Sequence, residues 1–148
     1  MSANPKFSTF LDAQGPVYDQ VRAELGAGRK QTHWMWFIFP QLAGLGFSVM
    51  AQRFALDSLD EARDYLAHPV LGARLRECIT LLLGQPERRI DRVLGHPDDL
   101  KFRSCLTLFA EAAPEEPLFP QALGEYYEGK RDPVTLDVLY RQPGDARL

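Results

Sequence analysis

The sequence is poor in the residues that signal metal or redox chemistry. Its 148 residues hold two cysteines and three histidines, all well separated. Neither Cys78 nor Cys105 has a CxxC partner, so no zinc-ligand or dithiol pattern arises. Both fall on apolar helix faces and are expected to be buried, reduced thiols. No metal and no cofactor are expected. Long apolar runs are missing too: the longest uninterrupted large-apolar stretch, Trp34 to Phe39, has six residues. A membrane span needs roughly 20, so no membrane partner is expected. The start, MSANPKFSTF, lacks the basic-then-apolar order of an export signal, and the expected location is cytoplasmic. No block of like charge occurs, and 17 basic against 20 acidic residues give a net charge of −3. A nucleic-acid partner, which favours a basic stripe, is therefore not expected.

What is present suits one folded domain. With 45% hydrophobic and 11% aromatic residues, the chain can build a proper core. Val17, Tyr18, Val21 and Leu25 form a stripe of helical period, with Pro16 at its start and Gly26 and Gly28 at its end. Phe7 to Gln14 reads as a separate helix. Ser58 and Glu61 match a capping box before Leu59, Ala62, Tyr65 and Leu66. Pro69 is read as opening a helix whose face is Leu71, Leu75, Cys78, Ile79 and Leu82, with His68 at the boundary. A short piece runs from Arg89 to Leu94. His96-Pro97-Asp98-Asp99 is a strong helix start, with proline and two acids in the first turn. Further helices are expected near 121–128 and 134–140. The expected fold is all-α: a compact single domain, 1–148, of about seven or eight short helices, with 1–6 and 141–148 as loose tails.

Two stretches could carry chemistry. In the first, RKQTHWMWFIFPQLAGLG, Thr32 is placed to cap a buried helix through the aromatic run, with Arg29, Lys30 and His33 near its positive end. Trp34 or Trp36 offers a stacking surface, Gln41 a polar edge, and Gly44 and Gly46 a tight turn. The competing reading makes the tryptophans core and His33 a structural group. GLG matches neither the Walker nor the Rossmann spacing. In the second stretch, HPDDLKFRSCLTLF, helical spacing lets Asp98 meet Lys101 and Asp99 meet Arg103, with Ser104 on the side of Lys101. Acids beside a histidine at a helix start can transfer protons when their surroundings tune them. They can equally be plain surface pairs that complement the helix dipole. Arg88, Arg89 and Arg92 read as a solvated basic face.

HWMWFIFPQLAGLG, AQRFAL, YLAHPVLGARLRECI, DDLKFRSCLTLF and YYEGKRDPVTLDVL together resemble a bacterial family, domain of unknown function 1810, over nearly the full length. The resemblance implies a compact, mostly helical single domain without a bound metal, and it implies no activity. Some members carry the label calpastatin. Such inhibitors are disordered and polar, unlike the periodic apolar faces found here.

The leading expectation is a domain that binds a small anionic ligand such as a nucleotide or phosphorylated metabolite. Arg29, Lys30, His33, Trp34, Trp36, Gln41, Lys101, Arg103 and Ser104 are its candidate contacts. Whether the domain is an enzyme is open; the candidate acid/base residues for hydrolysis or group transfer are His33, Asp98 and Asp99. The rival is a protein-interaction module using exposed apolar surface, with part of Trp34–Phe39 in solvent. The ligand reading requires the two stretches to meet in space.

Overall fold

In a computed structural model, which describes residues 4–141, the protein is all-α, and no strand occurs among the described residues. The helices are α1 (Pro5–Gln14), α2 (Tyr18–Gly26), α3 (Met35–Ile38), α4 (Val49–Arg53), α5 (Leu59–Ala67), α6 (Leu71–Leu83), α7 (Ile90–Leu94), α8 (Asp98–Ala112), α9 (Leu118–Tyr127) and α10 (Pro133–Tyr140). Seven of these span eight residues or more. A single 3-10 turn, Gly15–Val17, separates α1 from α2 and contains Pro16.

Local chemistry sets the helix ends. Asn4 caps α1 by accepting from Lys6 N–H, and Pro5 occupies the first turn. The N-terminal tail expected over 1–6 is therefore too long: Pro5 and Lys6 are helical, and Lys6 pairs with Asp57 and Glu61. The remainder of both expected tails lies outside the described residues, apart from Asn4 and Arg141. Ser58 accepts from Glu61 N–H, but the Glu61 carboxylate turns to Asp57 N–H, Asn4 and Lys6. Half of the expected capping box forms, and the other half ties α5 to α1. The α6 helix begins at Leu71, two residues after Pro69, and the His68 ring nitrogen accepts from Val70 and Leu71 N–H.

The interior is organised on α8. Phe102, then Ser104 through Ala110, and Ala112 are all buried, as befits a helix packed on every side. Helices α5, α7, α9 and α10 pack directly on it, while α6 packs against α2, α5 and α9. Phe39 and Phe109 extend the aromatic interior, the first meeting Phe102 at 4.6 Å and the second stacking on Phe119 at 5.6 Å. Cys78 and Cys105 are buried, unbridged thiols. Burial pushes the Cys78 thiol up to about 12 and Cys105 well above its ordinary value.

One part of the chain stands out from this packing. Leu42 and Leu56 form an isolated parallel bridge: Ala43 N–H donates to Leu56 C=O, and Leu56 N–H to Gln41 C=O. The bridge closes residues 43–55 into an excursion that contains α4. Ser48 caps α4 by accepting from Ala51 N–H, and the Gln52 amide donates to Phe47 C=O. Gly44 has φ +95°, and a Cβ on Gly46 would lie 2.7 Å from that of Ala51. Both positions of the sequence's GLG turn therefore need glycine.

Candidate functional site

The aromatic run is mostly core. Trp34, Met35, Phe37, Ile38 and Phe39 are buried, and Trp36 is half-buried. The helix through it, α3, has only four residues, and its cap residue, Trp34, makes no side-chain capping bond. Thr32, expected to cap it, does something else. Its hydroxyl donates to Glu24 Oε2 at 2.6 Å.

Glu24 on α2 is the anchor of this region. Only 4% exposed, its carboxylate also accepts from Gln31 N–H at 2.7 Å, Thr32 N–H at 3.1 Å, Trp34 Nε1 at 2.9 Å and Gln20 Nε2 at 2.9 Å. Burial opposes its ionisation, yet the hydrogen bonds, led by Thr32, outweigh burial and hold its pKa at about 2. A permanently ionised, fully bonded carboxylate is a structural tether. The Trp34 ring, with its N–H spent on Glu24, offers no stacking face to solvent.

The two candidate stretches do meet. Lys30 Nζ lies 2.9 Å from Asp98 Oδ2, with both side chains largely buried. Lys101 Nζ approaches Asp98 Oδ1 at 3.6 Å, completing the expected i,i+3 pair. Lys30 sits over the Trp34 ring at 5.3 Å and Lys101 over Trp36 at 5.1 Å. Lys30 N–H donates to Val93 C=O at 2.7 Å, which binds this loop to α7. Asp98 thus neutralises much of the charge that the two lysines bring. Arg29 and His33 are exposed and form no ion pair among the described residues. Gln41 is half-buried, and its main chain belongs to the bridge with Leu56.

Asp99 and Arg103 do not pair as the spacing suggested. Asp99 Oδ1 lies 2.9 Å from His96 Nδ1, and its carbonyl accepts from the Tyr127 hydroxyl. Arg103 instead donates to the carbonyls of Lys130 and Arg131, at 2.8 Å each. Ser104 is buried on α8 and donates to Leu100 C=O and to Asp132. Arg103 and Ser104 therefore hold the α9–α10 loop, while Lys101 turns to Asp98 and Trp36. The ring of His96 is mostly exposed, so His96–Asp99 is an oriented imidazole–carboxylate pair at the surface. Asp98, by contrast, is held by Lys30 and Lys101 rather than by a histidine. No cluster of three or more His, Cys, Asp or Glu suited to a metal occurs among the described residues.

With this geometry in view, the comparisons are informative. The family model described as protein of unknown function (DUF1810) matches residues 4–139. The chain belongs to this family. A crystal structure of the conserved hypothetical protein Rv1873 from Mycobacterium tuberculosis superposes with a TM-score of 0.91 at 46% identity. The match covers 94% of this chain and all of that one. No functionally curated protein matches. The DUF1810 fold is thus secure here, and no helix among the described residues is long and apolar enough to cross a membrane.

Two surface clefts are formed elsewhere. One of about 390 Å³ lies between α5 and α10, lined by Leu42, Leu59, Val138 and Leu139 with Asp57, Asp60 and Arg63 at its edge. A smaller one, about 240 Å³, adjoins the bidentate Arg76–Glu116 pair. Neither includes a residue expected from sequence. Among the described residues, the most exposed large apolar side chains are Phe47, at 86%, and Val49, at 80%. The sequence reading placed exposed apolar surface in Trp34–Phe39 and passed over these two. The signal available was their position just after GLG, on either side of the serine that caps α4.

Proposed function

We propose that this domain acts by contacting a protein, and that the 43–55 excursion is its contact element. The observation that carries this reading is the exposure of Phe47 and Val49 on a loop whose ends are pinned. Leu45 and Met50, flanking them in sequence, pack against the core, so the exposed apex is a small apolar knob. Exposing two such side chains forgoes about 1.5–3 kcal/mol each of burial energy. A pinned, glycine-dependent turn makes that exposure persistent instead of letting the side chains collapse inward. Such preorganisation lowers the ordering cost on binding.

A photo-crosslinking residue at position 47 tests this. A discrete protein adduct, lost when Val49→Ser is added and not seen from exposed Gln121, is the expected result. Equal, diffuse labelling from both positions would sink the reading.

A second reading keeps the small anionic ligand, and the specific observation favouring it is that Lys30 and Lys101 converge on Asp98, with Trp36 beneath Lys101. Arg29 and His33 would extend the cationic rim, and phosphate oxygens would compete with the Asp98 carboxylate for the lysines. Arg103 and Ser104, committed to the α9–α10 loop, would take no part. A thermal-shift panel of nucleotides, ADP-ribose and sugar phosphates distinguishes the readings. A ligand at 100 times its Kd adds about 2.7 kcal/mol, or roughly 5–10 °C for this size of domain. The ligand reading requires a shift lost in Lys101→Ala and retained in Phe47→Ser. Silence across the panel would remove it.

A further inference from the structure

We infer that the partner of the Phe47 knob is a second copy of this chain, and that its seat is the cleft between α5 and α10. This rests on the contact role proposed above for the 43–55 excursion, and names its occupant.

Shape supports the pairing first. The knob is convex, with two side chains almost wholly in solvent. The cleft is concave, about 390 Å³, and its apolar walls are Leu42, Leu59, Val138 and Leu139. That volume accommodates a phenylalanyl and a valyl side chain together. Charge supports it next. Helix α4 of the excursion ends in Arg53, which is exposed and forms no ion pair among the described residues; its guanidinium lies 5.4 Å from the Phe54 ring. The cleft edge carries Asp57 and Asp60, whose side chains are 70% and 93% exposed. Lys6 and Arg63 only partly compensate there, because Lys6 is shared between Asp57 and Glu61 while Arg63 pairs with Asp60. An apolar-and-basic protrusion thus faces an apolar-and-acidic recess, the complementarity that steers and registers association.

Position supports it last. Leu42 lines the cleft and is also half of the bridge that closes the excursion, while Asp57 follows the other half, Leu56. Knob and recess therefore share a base. A two-fold operation that puts one knob into the neighbouring recess returns the neighbour's knob to the first recess, and the interface closes as an isologous dimer. A protrusion and recess on opposite faces would have made an open chain of molecules instead.

The test is sedimentation of the full chain from about 1 µM to about 1 mM, the range of weak specific contacts. A monomer–dimer equilibrium is expected. Phe47→Ser with Val49→Ser, both at exposed positions, should abolish the dimer without lowering Tm. Arg53→Glu should weaken association at least tenfold, and Arg53→Glu combined with Asp57→Lys and Asp60→Lys should restore it. A photo-crosslinker at 47, in a mixture of isotopically light and heavy copies, should join light to heavy chains within residues 57–63 or 133–141. A monomer at every concentration overturns the inference, as does crosslinking confined to one chain. If the monomer result comes with a specific adduct to another protein in cells, the dimer fails while the contact role of the loop stands. If no adduct forms at all, both fail.

Discussion

At the residue scale, Glu24 decides the conformation of the segment that first drew attention. Its five hydrogen bonds fix the turn at Gln31 and Thr32 and bury the Trp34 indole. Because its folded pKa is lowered to about 2 from an ordinary 4.5, its contribution is fully present above about pH 4.5. It is lost as pH falls from there towards 2. The shift corresponds to at most about 3 kcal/mol. Glu24→Gln should lower Tm at pH 7 by roughly 10 °C and flatten the acid limb of the stability curve between pH 4.5 and 2. Thermal melts across pH measure both, and an unchanged acid limb would remove Glu24 from this role. The residue was readable in principle. Val21, Glu24 and Leu25 share a helical face, and Gln14 likewise follows Phe7, Phe10 and Leu11. Both polar residues sit on apolar stripes and both are buried. Gln14 meets the Phe37 carbonyl at 2.7 Å and the Tyr65 hydroxyl at 3.2 Å, groups that no local pattern could have supplied.

At the element scale, polar side chains on α8 hold the approach to α10. Asp132 caps α10 by accepting from Thr135 N–H at 2.9 Å, accepts from Ser104 as well, and gives its own N–H to Thr107 Oγ1 at 2.9 Å. Asp132→Ala should cost about 2 kcal/mol, seen as a fall of roughly 6 °C in Tm, without altering any ligand response. Helices α5 and α6 also depend on one close approach. A Cβ on Gly72 would come within 2.1 Å of the Leu66 carbonyl oxygen, a backbone atom that cannot step aside. Gly72→Ala should therefore destabilise more than a typical surface substitution, by over 1 kcal/mol in denaturant unfolding. Helix existence was legible for each long element because caps, prolines and apolar period agree at its ends. The partners of Arg103 and Ser104 were not, since they lie more than 25 residues along the chain. The i,i+4 rule names who can meet on a helix, and tertiary neighbours decide who does.

At the scale of the whole molecule, stability should be unevenly spread. Amides of α8, surrounded by α5, α7, α9 and α10, should exchange with solvent only on global unfolding. Those at the apex of the 43–55 excursion should exchange by local opening, while Ala43 and Leu56 N–H, held in the bridge, stay protected. Hydrogen exchange read residue by residue checks this; uniform protection would contradict it. The all-α class and the single domain could be read from apolar period and composition. The meeting of Lys30 with Asp98 could not, because it depends on how α7 and α8 lie against the loop after α2. Neither could the knob and the recess, since exposure is what remains after packing has chosen its face.

The Leu42–Leu56 bridge has one more consequence. Two main-chain hydrogen bonds fix the separation of the strand-like ends, and Leu45, Met50 and Phe54 pack on the helical body, so only the apex, residues 46–49, stands apart from it. The body should accept a foreign hairpin or peptide epitope between Leu45 and Met50 and still melt as before, because Leu45, Met50 and Phe54 keep their contacts with the core.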